Sequence, residues 1–121
     1  MSKEIQTYRD LRAWNQAMDL VELVYGVTAK LPADELYGLR SQMRRCAVSI
    51  PSNIAEGHGR KGSKEFMHHL SIAKGSLSEL ETQLILCVRL KYIDRDSLTP
   101  IWRSAQTASK LISGLVRSLR N

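Results

Sequence analysis

Three basic residues near the end of the chain recur at intervals of seven. Arg103, Lys110 and Arg117 would share one face of a helix over about 21 Å, at 1.5 Å per residue. Evenly spaced cations on one helical face could neutralise successive phosphates of a nucleic acid. The alternative is an ordinary solvated face. No acidic residue follows Asp96, however, whereas solvated faces usually mix both signs.

A second basic element combines cations with glycines in the segment GHGRKGSK, residues 57–64. Arg60, Lys61 and Lys64 supply charge, and glycine lets the backbone approach a phosphate. The next helix, for which Ser63 is the expected N-cap, adds free amides. We expect an anion-binding turn here, with Arg44 as a further candidate contact. An ordinary interhelical turn is the alternative, and the GxxxxGK[ST] spacing of a nucleotide-binding loop is absent.

Small polar and charged side chains also line one face of the preceding helix. They are Arg45, Ser49, Asn53 and Glu56. The next helix offers a matching strip that includes Glu79, so we expect Arg45, together with Asn53, to pair with Glu79 or nearby groups. Such a polar network would fix helix register and subunit arrangement. This structural role is favoured over ligand binding.

The overall charge is +6, and it is concentrated in two blocks. Residues 40–64 carry six basic and one acidic side chain, and residues 97–121 carry four basic and no acidic ones. This asymmetry favours a polyanionic partner, although a basic surface could merely aid solubility. We expect no metal, cofactor or catalytic residue: Glu65 and His68 form one Glu-x-x-His pair, whereas helical di-iron sites need two.

Apolar periodicity predicts four helices that position these groups, over residues 8–30, 35–57, 63–90 and from about 96 to near the end. No strand-like alternation or long linker occurs, so residues 1–121 are expected to form one all-α domain. Pro51 falls inside the second helix and should bend it. The first helix has two apolar strips, which indicates either deep burial or a second face for a neighbouring subunit.

No apolar run approaches the roughly 20 residues needed to cross a bilayer. The beginning of the chain lacks the apolar region of a secretory signal. Cys46 and Cys87 lie among apolar neighbours, where buried free thiols are the expectation. We therefore expect a cytoplasmic protein without a membrane partner.

The segments RRCAVSIPSNIAEGHGR (44–60) and SKEFMHHLSIAKGSLSELETQL (63–84) resemble the small proteins encoded within intervening sequences of large-subunit ribosomal RNA genes. The similarity extends upstream through LRAW (11–14), VY (24–25) and ELYGL (35–39), and covers roughly residues 8–93. It implies an antiparallel, up-down four-helix bundle assembled as a ring-shaped homopentamer, without an established catalytic activity. An accessory protein of diversity-generating retroelements, which binds nucleic acid and a reverse transcriptase, is distantly similar.

Together these features predict a non-enzymatic, homo-oligomeric helical bundle that binds nucleic acid, with RNA as the expected ligand, through basic surface residues. The alternative is a protein–protein scaffold whose basic face recruits an acidic partner. Steep dependence of affinity on salt would favour the first of these.

Overall fold

The computed structural model describes residues 5–120, and every regular element within them is helical. The four long helices are α1 (Arg12–Thr28), α2 (Leu39–His58), α3 (Ser63–Arg89) and α4 (Arg95–Leu119). Short 3-10 turns at Tyr8–Asp10 and Ala33–Glu35 precede α1 and α2. Since no strand occurs between residues 5 and 120, the all-α prediction is confirmed.

The first helix begins later than its periodicity predicted, because a capping box closes a separate turn in front of it. The Thr7 hydroxyl accepts from the Arg9 amide at 3.2 Å, and the Asp10 carboxylate accepts from the Thr7 amide at 3.1 Å. Leu11 then has extended backbone angles. The interruption at Leu11 delays α1 to Arg12.

Glu35 likewise ends a short turn rather than starting α2. Its carboxylate accepts hydrogen bonds from the Leu39 amide at 3.0 Å and from the Tyr92 hydroxyl at 2.9 Å. These two donors hold the pKa of Glu35 below its ordinary value. The carboxylate therefore ties the start of α2 to the turn that follows α3.

Ser63 does not cap α3, contrary to the sequence-based expectation. It is the first helical residue, and the residue at the cap position is Gly62, which makes no side-chain cap bond. Gly62 has φ +92°, a backbone conformation that favours glycine. The turn thus uses the freedom of glycine instead of a serine cap.

The helices pack as a bundle in which α1 lies against α2 and α4, and α3 lies against the same two helices. Polar side chains add links between the helices. The Gln16 amide donates to Ser104 at 2.9 Å between α1 and α4, and the Gln106 amide donates to Glu81 at 2.6 Å between α3 and α4. The largest fully buried apolar side chains are Leu20, Val24, Met43, Ile50, Ile54, Leu70, Leu80, Leu84, Cys87 and Ile112.

The two apolar strips of α1 have different environments. The strip that includes Leu20, Val24 and Val27 is buried, whereas Met18 and Tyr25 on the other strip remain 39% and 42% exposed. The more exposed strip borders a groove between α1 and α2, which we call the α1–α2 groove. Its lining residues are Tyr8, Trp14, Met18, Val21, Val48, Pro51, Ser52 and Ala55.

The end of α2 lies unusually close to α3 at Gly57. A methyl group added to Gly57 would lie 2.7 Å from the His69 Cβ and 3.0 Å from the Phe66 ring. Glycine therefore permits the approach of the two helices at this point.

In the part of the chain that the structure describes, no helix is long and apolar enough to span a bilayer.

Candidate nucleic-acid interface

The three cations spaced by seven residues lie exposed along α4. Arg103, Lys110 and Arg117 follow the edge of α4 that borders α3, since Arg103 and Arg117 each line a groove between these helices. None of the three forms an ion pair with another side chain in residues 5–120. Their charges are therefore available to a ligand. We call this line of cations the α4 stripe.

A groove near the end of α4 surrounds Arg117 with further donors, and we call it the C-terminal groove. Lys74 of α3 reaches across it and donates to the Ser113 hydroxyl at 2.7 Å. Its lining residues are Met67, Ser71, Lys74, Ser113, Val116, Arg117 and Arg120. Lys74 and Arg120 thus extend the α4 stripe sideways onto α3 and towards the end of the chain.

A second groove lies at the opposite end of α4, beside the turn that joins it to α3. We call it the tryptophan groove, and its lining residues are Ile85, Val88, Arg89, Arg95, Leu98, Thr99, Trp102 and Arg103. Arg89 and Arg95 were not among the sequence-based candidates. Arg89 and Arg95 flank the turn at residues 90–94. Their closeness in sequence was the one signal that could have predicted that they lie together near Arg103.

The glycine-rich turn between α2 and α3 holds the other predicted cations. Lys61 and Lys64 are exposed. Arg60 donates to the Glu56 carboxylate at 2.6 Å, and both partners are about half exposed. An exposed pair of this kind contributes at most about 1 kcal/mol, so a phosphate could compete for Arg60.

Arg44 is held against α1 and differs in this respect from the exposed cations. Its guanidinium donates to the Thr28 hydroxyl at 2.9 Å and to the Tyr25 carbonyl at 3.2 Å, and it lies 4.4 Å from the centre of the Tyr25 ring. A cation at the C-terminal end of a helix also interacts favourably with the helix dipole. These contacts give Arg44 a structural task at the α1–α2 contact.

Part of the predicted polar network lies between α2 and α3. The Ser49 and Ser76 hydroxyls are hydrogen-bonded to each other at 2.9 Å. The side-chain amide of Asn53 donates to the backbone carbonyl of Ser49 at 2.9 Å. The side-chain Oδ1 of Asn53 lies 3.1 Å from His69 Nδ1. Glu56 does not join this cluster because its carboxylate pairs with Arg60.

Arg45 and Glu79 line the furrow beside that cluster, together with Gln83. Within residues 5–120, neither Arg45 nor Glu79 forms an ion pair. Gln83 is 7% exposed, and its side-chain oxygen has no hydrogen-bond partner in the described chain. The furrow is thus more open than the closed structural network that the sequence predicted, and fewer of its polar groups have partners.

The two cysteines are buried free thiols, as expected. Cys46 donates to the Ser76 carbonyl at 2.9 Å. Burial and the neighbouring Glu79 carboxylate raise the pKa of Cys46 to about 12, and burial also raises the pKa of Cys87. Because the thiolate is the nucleophile, neither thiol is suited to covalent catalysis near neutral pH.

We expect neither thiol to react with Ellman's reagent in the native protein at pH 8. With a pKa of about 12, only about one Cys46 side chain in 10⁴ would be ionised. Unfolding in guanidinium should release two equivalents of thionitrobenzoate per chain. Rapid release of a full equivalent of thionitrobenzoate from the native protein would contradict the burial of the thiols.

The pKa of Cys46 is raised on folding. The contribution of this thiol to the free energy of unfolding should therefore be lost as pH rises from about 9 towards 12.

Comparison with known proteins supports the same architecture. The chain resembles a crystallised protein of unknown function from the S23 ribosomal protein family of Bacteroides thetaiotaomicron, with a TM-score of 0.79 and 22% identity. The match covers 86% of this chain and 97% of the other. No curated protein shows significant similarity to the chain.

The family model that describes 23S rRNA-intervening sequence proteins matches residues 9–114. This range includes all of α1, α2 and α3 and most of α4. It also contains the polar face of α2 and the glycine-rich turn, which carry the family resemblance. A match over nearly the whole bundle makes this chain a member of the 23S rRNA-intervening sequence protein family.

Proposed function

We propose that this chain is a non-enzymatic protein that binds nucleic acid, with RNA as the expected ligand, through the α3–α4 side of its bundle. The observation that carries the proposal is the α4 stripe: Arg103, Lys110 and Arg117 are exposed and free of ion pairs with other described side chains. Lys74 and Arg120 extend the positive surface. The ribosomal RNA in the family's name is consistent with such a ligand.

Binding would rest on contacts with phosphates. Each phosphate neutralised by lysine or arginine releases condensed counterions, so affinity falls steeply with salt concentration. Phosphate contacts orient a nucleic acid but carry no base identity. We therefore expect weak sequence discrimination from the α4 stripe. Lys61, Lys64 and, after release from Glu56, Arg60 would add contacts at the glycine-rich turn.

We further propose that the antiparallel, up-down bundle, bent at Pro51, assembles with copies of itself into a ring of five in the cytoplasm. Support for self-association comes from the α1–α2 groove, which leaves Met18 and Val48 39% and 40% exposed beside Trp14; the number five rests on the family resemblance. Burial of this apolar surface would favour association. A ring repeats a weak phosphate site several times, and multivalency then raises the overall affinity.

The second candidate function is a scaffold that recruits an acidic protein without binding nucleic acid. It is favoured by the apolar floor of the tryptophan groove, where Ile85 is 45% exposed. A protein partner that buried this floor would depend mainly on apolar area. Its affinity would therefore change much less with salt than that of a nucleic acid.

Fluorescence anisotropy with labelled structured RNA and duplex DNA, titrated at several salt concentrations, tests the proposal. We expect log affinity to fall linearly with log salt, with a slope that corresponds to several phosphates. Absence of binding at low salt would overturn nucleic-acid binding and leave the scaffold. Light scattering tests the ring separately, because Val48→Glu in the α1–α2 groove should reduce the particle mass.

A further inference from the structure

The tryptophan groove combines an apolar floor with a concentrated positive rim. Trp102, Leu98 and Ile85 form much of the floor. Arg89, Arg95 and Arg103 line the same groove and are exposed, and no acidic side chain lines it. Three guanidinium groups around one apolar surface repel one another unless an anion lies between them. The groove thus fits a ligand that carries both negative charge and a flat apolar surface.

Unpaired nucleotides have this combination of properties. In a duplex the base faces are stacked on one another, whereas a single strand can present a base face to an aromatic side chain. Proteins that bind single strands combine aromatic stacking platforms with a basic groove that follows the backbone. Trp102 supplies the indole, and Arg103 joins the groove to the α4 stripe.

The size of the floor favours a base over an amphipathic helix of an acidic protein. Leu98 and Trp102 are four residues apart on α4, and Ile85 and Val88 are three apart on α3. The floor is therefore about one helical turn long, roughly 6 Å. A docked helix needs anchors at positions i, i+3, i+4 and i+7, which extend over about 10 Å.

We propose that the tryptophan groove binds an unpaired nucleotide of single-stranded RNA, with the base stacked on Trp102 and the flanking phosphates held by Arg89, Arg95 and Arg103. This inference rests on the proposed nucleic-acid binding and adds a ligand class to it. The α4 stripe would bind any nucleic-acid backbone. The tryptophan groove would make the protein prefer RNA that contains unpaired residues.

Tryptophan fluorescence can report on the groove directly. Trp14 lies in the α1–α2 groove, with its ring centre 5.3 Å from that of Tyr8. The chain contains two tryptophans, so Trp102 is the single indole in a Trp14→Phe variant. We expect saturable quenching when a decamer of uridine is added, and little quenching by an RNA duplex of the same length. This measurement leaves Trp102 in place and so does not depend on whether its replacement folds.

Substitution of Trp102 provides the energetic test. Trp102→Leu should weaken binding of the uridine decamer by roughly 5- to 150-fold, the range that loss of one stacked base implies. Trp102→Phe, which keeps an aromatic ring, should retain most of that affinity. Binding of the RNA duplex should be unchanged in both variants.

The outcomes separate this inference from the proposed function. If the wild-type protein binds RNA but the decamer does not quench Trp102, the stacking proposal is wrong and backbone binding stands. Absence of binding to every RNA at low salt would overturn both. A blue shift of Trp102 with an acidic amphipathic peptide, without quenching by the decamer, would assign the groove to a protein partner instead.

Discussion

Reversal of the charges of Lys110 and Arg117 together should weaken RNA binding by roughly 10²–10³-fold at low salt. Each reversal to glutamate removes an attraction and adds a repulsion, and each unit interaction is about 1 kcal/mol at 4 Å in bulk water. Both side chains are exposed on the α4 stripe and free of ion pairs with other described residues. The folded bundle should tolerate the change. Anisotropy at fixed salt measures the loss.

A second pair of reversals serves as the matched control. Arg12→Glu with Lys30→Glu changes the net charge by the same amount at exposed positions that line neither the C-terminal nor the tryptophan groove. We expect a much smaller loss of affinity. Equal losses from the two double variants would show that net charge alone controls binding. The α4 stripe would then have no special role.

The largest expected effect on stability comes from one methyl group at Gly57. Alanine normally stabilises a helix interior by about 1 kcal/mol relative to glycine. At Gly57 the added Cβ would lie 2.7 Å from the His69 Cβ and 3.3 Å from the Phe66 carbonyl oxygen. Separation of α2 and α3 at this contact should cost about 1–3 kcal/mol. Thermal denaturation should show a melting temperature several degrees lower.

The same substitution at Gly75 should have the opposite sign. Gly75 lies within α3 on an exposed surface, and no neighbouring atom lies within 4 Å of an added Cβ. Gly75→Ala should therefore raise the free energy of unfolding by up to about 1 kcal/mol. If both variants were stabilised, the close approach of α2 and α3 at Gly57 would be disproved.

Periodicity was sufficient to predict four helices, but it could not decide which strip of α1 faces the core. Both strips are apolar, and the buried one also contains Ala13 and Ala17, which are 2% and 0% exposed. Small side chains allow another helix to approach closely, although they contribute little to a count of large apolar residues. The core face is therefore determined by packing against α2 and α4. That information is absent from α1 alone.

The candidate interface was predictable where it lies on a single helix. The spacing of Arg103, Lys110 and Arg117 follows from helical geometry. The arginines that meet across the α3–α4 turn come from two helices, so their proximity depends on the tertiary fold. Arg44 and Arg45 illustrate the same limit. They are adjacent in sequence, yet Arg44 binds the end of α1 while Arg45 lines the furrow beside α3.

If the proposed nucleic-acid binding holds, the length of α4 would set the amount of nucleic acid that one subunit occupies. Arg95 and Arg120 lie near the two ends of the positive surface and are 25 residues apart, or about 37 Å along the helix. A DNA duplex advances 3.4 Å per base pair, so this distance corresponds to about eleven base pairs of DNA. One subunit would thus exclude others from about one turn of duplex. The length of α4 would then fix the mass of duplex bound per subunit at saturation.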